Sequence, residues 1–165
     1  MKLMKQLLIC TGIFAALAMS RFIPHPPNFT SLLALSFYVP ALLGLRYLPA
    51  LLISFVITDI FIGYHFGTHW TWGSVLIIGL MSKYFVKSFI TRISGAIIGA
   101  LLFYIITNFG VWTTGVYGYS FSGLTNCYYL AIPFFTYSLL STFTFSIAIE
   151  GCYKFLDNKF NLKKA

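Results

Sequence analysis

The residue with the clearest chemical meaning is Asp59, an acidic side chain inside the apolar run 48–64. An ionised carboxylate in such a run is costly unless a cation or a polar ligand faces it. Arg21, which ends an earlier apolar run, is the natural partner. The pattern allows two interpretations. Arg21 and Asp59 form an ion pair that holds two helices together, or the carboxylate takes part in binding a ligand.

Residues suited to holding a small molecule gather around these two positions. Three prolines within residues 21–30 stiffen that segment, so its side chains can meet a ligand at little cost in ordering entropy. Tryptophans would stack on a ring, while histidine, asparagine and aspartate would supply polar contacts. The predicted substrate-binding residues are His25, Asn28, Asp59, His65, Trp70, Trp72, Asn108 and Trp112.

Several of these residues also have a simpler interpretation. Tryptophan and tyrosine collect at membrane interfaces without any ligand. Asn108 lies between Tyr104 and Trp112 at four-residue spacing, so the three share one helix face. A buried asparagine on such a face more often joins neighbouring helices than contacts a ligand. Both interpretations stay open for these residues.

The sequence predicts neither a metal site nor an enzyme. His65 and His69 are four residues apart and His25 is a third candidate ligand, but glycines interrupt the helix between them, so we predict no metal. Hydrolase and phosphate-binding motifs are missing from the sequence. Asp59 and Glu150 fall near opposite membrane faces and cannot act as an acid–base pair. We expect no catalytic residues and no cofactor.

The composition shows which kind of element must position these residues. Of 165 residues, 59% are hydrophobic and only 8% are charged, and the mean hydropathy is +0.86. A soluble domain carries about 25% charged residues, so this chain cannot cover a soluble surface. We predict an all-α, polytopic integral membrane protein whose solvent is the lipid bilayer. The net charge of +8 then reports membrane topology, and no nucleic-acid partner is expected.

The apolar runs predict a single membrane domain over residues 1–165, built as a bundle of about six helices. A helix needs about 20 mostly apolar residues to cross the hydrocarbon core. The runs that approach this length are 3–20, 29–45, 48–64, 70–86, 93–112 and 126–150. With both termini in the cytoplasm, ten of the 11 lysines and arginines lie inside and Arg21 alone lies outside. The predicted binding residues then gather at the outer face.

Small residues at four-residue spacing form a ridge on the first predicted helix. Gly12, Ala16 and Ser20 belong to this ridge. Such residues let helix backbones approach closely. The ridge therefore packs inside the bundle or docks a partner membrane protein, and the sequence alone favours neither.

Four stretches of the chain resemble an uncharacterised family of small bacterial six-helix membrane proteins. These stretches are residues 21–30, 59–65, 107–112 and 131–135. That family in turn resembles the substrate-binding (S) components of energy-coupling factor (ECF) vitamin transporters. The resemblance implies a multi-pass protein of the bacterial inner membrane that binds a vitamin-like molecule near the outer face. It also implies docking, through the Gly12–Ala16–Ser20 ridge, on an ECF-type transmembrane coupling protein powered by ATPases.

We therefore expect a membrane transport subunit that binds a small micronutrient, a vitamin or its precursor, at the outer face. The alternative is a non-catalytic membrane scaffold or assembly factor. In that case the small-residue ridges bind another protein, and the outer residues are an aromatic belt and a helix clamp.

Overall fold

Helices form all the regular structure in residues 2–64 and 67–160, which the computed structural model describes. This confirms the predicted all-α class. The seven α-helices of this part are α1 (Lys2–Phe22), α2 (Leu32–Tyr38), α3 (Leu48–Ile62), α4 (Thr68–Met81), α5 (Phe89–Trp112), α6 (Phe121–Leu130) and α7 (Ile132–Phe160). A π-helical turn, Val39–Leu43, follows α2, and 3-10 turns occupy Leu45–Tyr47 and Ser82–Phe85.

Four helical segments of the described residues are long and apolar enough to cross a membrane, which indicates a membrane protein. They are Leu3–Phe22, Leu45–Ile62, Phe89–Trp112 and Ile132–Asn158. Many large apolar side chains on the surface agree with this, for example Ile60 at 67% and Phe61 at 76% exposure. The apolar helix Leu32–Leu43 and the 14-residue α4 are shorter. A bundle of six spans stays a prediction.

Two of the predicted runs differ in the structure because of proline. The run 126–150 is wrong as one helix, since α6 ends at Leu130 and α7 begins at Ile132. Pro133 explains the break: it is the second residue of α7 and has no backbone N–H to donate to a carbonyl oxygen of the preceding turn. The run 29–45 is also interrupted, because Pro40 lies in the π-helical turn.

The other runs have nearly the predicted limits, and one starts earlier for a clear reason. Helix α5 begins at Phe89 rather than at residue 93. Ser88 accepts a hydrogen bond from the backbone N–H of Thr91, and the Thr91 side chain accepts one from the backbone N–H of Ser88. This capping box satisfies two N–H groups that a helix start otherwise leaves unpaired.

The packing places α2 inside the bundle, where it contacts α4, α5 and α7. Helix α1 packs mainly on α3, and α5 packs on α4 and α7. Phe37 and Tyr38 of α2 are fully buried, and the Phe37 ring fills the space where a side chain at Gly95 of α5 would lie. The absent side chain at Gly95 thus allows α2 and α5 to approach closely.

The described bundle has two chemically different ends. Side-chain contacts join the C-terminal ends of α1, α3 and α5 to the N-terminal ends of α2 and α4. We call this the Asp59 end. The opposite end, which we call the basic end, holds the described lysine and arginine side chains other than Arg21, namely Lys5, Arg46, Lys83, Lys87, Arg92 and Lys154.

Candidate small-molecule site

An ion pair between the last turns of α1 and α3 is the centre of the Asp59 end. The Nη2 atom of Arg21 lies 2.6 Å from Oδ1 of Asp59, and the two side chains are only 14% and 9% exposed. The indole Nε1 of Trp72, on α4, donates a hydrogen bond of 2.7 Å to Oδ2 of the same carboxylate. Both carboxylate oxygens are thus paired, as a buried carboxylate requires.

The Arg21 guanidinium makes three further contacts with α3. Its Nη1 donates to the hydroxyl of Thr58 and, at 3.4 Å, to the carbonyl oxygen of Phe55. Its Cζ lies 4.7 Å from the centre of the Phe55 ring, within the range of a cation–π interaction. The opposite charges of Arg21 and Asp59 balance each other. Arg21 also donates hydrogen bonds to α3, and Asp59 accepts one from α4. The helix clamp that the sequence offers as one interpretation is present in the structure.

The same ion pair also forms part of the wall of a cavity of about 240 Å³, which we call the Arg21 cavity. Apolar side chains of Leu32, Phe55, Ile62 and Phe103 form the rest of its wall together with polar groups from the first loop and α4. The polar residues that line it are Arg21, His25, Asn28, Thr30, Asp59 and Thr71. A few convergent polar groups in an apolar surround are typical of a small-molecule pocket.

A second cavity, of about 120 Å³, adjoins the first, and we call it the Asn108 cavity. Asn28 and Phe103 line both cavities. The remaining wall comes from α5, from the α6–α7 break and from α7, with Tyr104, Thr107, Asn108, Ala131, Phe134, Phe135 and Ser138. The two cavities therefore place ligand-sized space on both sides of one asparagine and one phenylalanine.

Asn28 is held in an unusual backbone conformation between these cavities. Its φ of 62° is the only positive value at a non-glycine residue of the described chain. Asparagine tolerates this left-handed region better than most residues do. The Ser141 hydroxyl of α7 shares its proton between the Asn28 carbonyl oxygen at 3.3 Å and the Ser138 carbonyl oxygen at 3.1 Å. No described residue hydrogen-bonds the Asn28 side-chain amide, so that amide is available to a ligand.

His25 is fixed by the backbone of its own loop. Its Nδ1 lies 2.7 Å from the carbonyl oxygen of Pro26, and its Nε2 lies 3.3 Å from that of Arg21. The ring is exposed and lines the Arg21 cavity. These contacts orient the imidazole before any ligand arrives.

Asn108 contacts the smaller cavity without joining helices through its side chain. Its Nδ2 donates a hydrogen bond of 2.7 Å to the carbonyl oxygen of Tyr104, one turn earlier in α5. The Tyr104 ring stacks on Phe135 of α7 with centroids 4.5 Å apart. Interhelical contact in this region is therefore made by the aromatic ring, and Asn108 presents a polar group to the cavity wall.

The three tryptophans line neither cavity, which differs from the expectation that they stack on a ligand. Trp72 is bound to Asp59. The Trp70 ring covers Gly110 and meets Phe109 edge to face, with centroids 5.8 Å apart. The Trp112 ring lies 5.6 Å from that of Phe109. Because these indoles pack on protein groups, they support the wall of the site and are not part of its lining.

The sequence profile of one family covers residues 1–164 of this chain. The chain belongs to DUF6580, a family of unknown function. No curated protein matches the chain. No solved structure matches it either.

Two further predictions on this DUF6580 chain concern histidine and metal. His65 lies outside the described residues. Within residues 2–64 and 67–160, no three histidine, cysteine or acidic side chains lie close enough to hold a metal ion. Among the described residues, the predicted polar binding residues that line the two cavities are His25, Asn28, Asp59 and Asn108.

The predicted ridge of the DUF6580 chain is divided between two environments. The Ser20 hydroxyl lies 2.7 Å from that of Ser31 at the start of α2, and it donates to the Leu17 carbonyl oxygen. Ser20 therefore packs inside the bundle. Gly12 and Ala16 instead line an open groove between α1 and α7.

Sequence reasoning missed several residues of the DUF6580 site. Thr30, Thr71, Phe103 and Ser138 line the cavities, and Ser141 holds Asn28 in place. One signal was available for α7, where Ser138, Ser141 and Thr142 recur at helical spacing within an apolar helix. Polar residues on one face of an apolar helix face the protein interior.

Proposed function

We propose that the chain is a membrane transport subunit that binds a small micronutrient, a vitamin or its precursor, at the Asp59 end. The single observation that carries the proposal is the pair of adjoining cavities that share Asn28 and Phe103. Polar groups converge there from the first loop, α3, α4, α5 and α7 within an otherwise apolar membrane protein. Such convergence supports a binding site for a small polar molecule.

The chemistry of the cavity wall supports binding without catalysis. Asp59 is the acidic residue of the wall, and its two oxygens are occupied by Arg21 and Trp72. Each oxygen therefore already accepts one hydrogen bond from the protein, which favours a structural role over that of a general base. Both ring nitrogens of His25 lie against backbone carbonyl oxygens. The side chains are arranged to hold a molecule in one orientation.

The cavity volumes favour a small ligand. Drug-sized molecules occupy pockets of about 300–1,000 Å³, whereas the two cavities measure about 240 and 120 Å³. A molecule with one aromatic ring and a short polar substituent suits the pair better than a flavin or a corrinoid does. The ring would lie beside Phe55 and Phe103, and the substituent would meet the Asn28 amide.

The proposed orientation places the Asp59 end outside a bacterial inner membrane and the basic end in the cytoplasm. It rests on the concentration of lysine and arginine at one end of the bundle. Six spans with both termini inside satisfy this orientation. The proposed partner is an ECF-type coupling protein with its ATPases, which would dock on the α1 face where Gly12 and Ala16 are exposed.

The proposal is tested by the thermal stability of the detergent-purified protein with vitamins and their precursors. A ligand at a hundred times its Kd adds about 2.7 kcal/mol of stability, which raises the melting temperature measurably. Asn28→Gly removes the amide and keeps the left-handed backbone. Asn108→Ala removes the polar group of the second cavity. The matched control is Asn126→Ala, because Asn126 is exposed on α6 and lines neither cavity.

The expected result is one ligand class that stabilises the native protein and Asn126→Ala but not Asn28→Gly or Asn108→Ala. Stabilisation that survives both site variants would place the binding elsewhere and contradict the proposal. The scaffold alternative is favoured by the exposure of Gly12 and Ala16 on the surface of α1. A scaffold would not be stabilised by any of the ligands, and the asparagine substitutions would not change its binding to a partner protein. Gly12→Leu would abolish that binding.

A further inference from the structure

A long groove runs between α1 and α7 on the half of the bundle nearer the basic end. Its volume is about 650 Å³, and it is separate from the two cavities of the Asp59 end. The floor is α2 with its π-helical turn, and the walls are α1 and α7. Representative lining residues are Ile9, Gly12 and Ala16 on one wall and Ala148, Cys152 and Leu156 on the other.

The groove exists because the two wall helices have other packing partners. Helix α1 packs mainly on α3, and α7 packs mainly on α5 and α2. The facing residues Gly12, Ala16 and Ala148 are too small to close the gap. No atom lies within 4 Å of the point where a Gly12 side chain would begin. The space is therefore open rather than filled by a neighbouring side chain.

The position of the groove in the bundle determines what can fill it. Its α1 wall belongs to the membrane-length helix Leu3–Phe22, and its α7 wall belongs to Ile132–Asn158. The stretch from Ile9 to Ala16 covers about 10 Å along the helix axis, at about 1.5 Å per residue. An apolar cleft at this depth is next to lipid hydrocarbon, and its surface gains more from an acyl chain than from water.

The charge at the open end of the groove selects the kind of lipid. Lys5 lies four residues before Ile9, so it is on the same face of α1 one turn nearer the helix start. Its side chain is exposed at the end of the bundle that holds most of the basic residues. A lysine close to the membrane surface attracts anionic headgroups. We propose that, when no partner protein is docked on α1, the groove binds one acyl chain of an anionic phospholipid, with the headgroup phosphate at Lys5.

The proposal is tested by native mass spectrometry of the detergent-purified protein with dioleoyl phosphatidylglycerol or dioleoyl phosphatidylcholine. The double variant Gly12→Leu/Ala16→Leu fills the groove from the α1 wall. Its matched control is Thr11→Leu/Ala15→Leu, which adds side chains at the same spacing on exposed residues outside the groove. Ala148→Leu blocks the groove from α7 and provides a second variant if the first one does not fold.

We expect retained phosphatidylglycerol on the native protein and on the Thr11/Ala15 control, and its loss when either wall is filled. Lys5→Gln lowers the preference for phosphatidylglycerol over phosphatidylcholine about fivefold, whereas Lys87→Gln, at the same end but outside the groove, does not. Equal lipid retention by all folded variants would mean non-specific surface lipid and would overturn the proposal. A dimer or a bound protein that disappears on filling the groove would also overturn it, in favour of a protein occupant.

Discussion

Two buried arginine–carboxylate pairs in residues 2–64 and 67–160 lie in different surroundings. At the basic end, Nε and Nη2 of Arg92 donate to the two oxygens of Glu150 at 2.6 and 2.7 Å. This bidentate pair joins α5 to α7 and borders none of the three spaces described above. At the Asp59 end, Arg21 binds one carboxylate oxygen and Trp72 the other, beside a cavity. One pair is closed on itself, and the other lines the Arg21 cavity.

The difference shows how a membrane protein can place charge where a ligand arrives. A bidentate arginine engages both oxygens of a carboxylate from one side chain in a fixed geometry. Asp59 instead receives its two hydrogen bonds from separate helices, α1 and α4. A movement of either helix changes its hydrogen bonds without leaving the carboxylate wholly unpaired.

The largest expected effect comes from breaking the closed pair. Arg92→Ala leaves Glu150, which is 5% exposed, without its partner, and removal of one member of a buried pair costs about 3–5 kcal/mol. Arg21→Ala should cost less, because Trp72 still binds Asp59 and the adjoining cavity admits water. The measurement is the melting temperature of both variants in one detergent. An equal loss in the two variants would remove the distinction between the pairs.

A smaller effect is expected at the tryptophan that completes the shared pair. Trp72→Phe removes the indole donor to Asp59, and a hydrogen bond to a charged group contributes about 1.5–3 kcal/mol. Trp112→Phe is the matched control, because the Trp112 Nε1 is buried without a partner among the described residues. Both changes remove similar apolar area, so the difference between their melting temperatures isolates the hydrogen bond. A larger loss for Trp112→Phe would contradict this assignment.

The aromatic support of the site should tolerate little added volume. Gly110→Ala pushes a methyl group into the Trp70 ring, and such overpacking costs about 1–3 kcal/mol. Gly12→Ala places the same group in open space and should be neutral or stabilising, since alanine favours a helix over glycine by about 1 kcal/mol. Thermal unfolding of the two variants, followed by circular dichroism, gives the comparison. Destabilisation by Gly12→Ala would show that the α1 wall is closed.

The smallest expected effect separates the backbone of Asn28 from its amide. Asn28→Ala keeps a β-carbon at a φ of 62° but loses the short polar side chain that lets asparagine tolerate this region, at a cost of about 1 kcal/mol. Asn28→Gly relieves that cost, so the melting temperature of the glycine variant should be the higher of the two. Both variants lose the ligand-facing amide and should lose ligand stabilisation equally. Ligand stabilisation that persists in the glycine variant would make Asn28 a structural residue only.

Charge and hydropathy predicted the parts of this structure that depend on local or pairwise effects. The all-α class follows from composition, and the contact of Arg21 with Asp59 follows from the cost of an isolated charge in an apolar helix. Pro133 predicts a kink in the run 126–150, and the structure shows a larger effect there, because α6 ends at Leu130 and α7 begins at Ile132. The apolar pattern of the run does not indicate where one helix ends and the next begins.

The tryptophans could not be placed from the sequence for a different reason. Trp70 packs on Gly110, which is 40 positions away, so the direction of its ring depends on how α4 crosses α5. The cavities depend in the same way on distant partners such as Asn28 and Ser141. No local spacing encodes these contacts, and a residue type suited to ligand stacking is equally suited to packing on another ring.

The hydrogen bond between Ser141 and Asn28 has a consequence for biosynthesis. It joins residues 113 positions apart, so this contact to the first loop forms only after the ribosome has made α7. Until then the loop has no α7 wall to rest on, and the smaller cavity does not exist. Nascent chains that stop before residue 138 should therefore lack the Asn108 cavity, since part of its wall is not yet made.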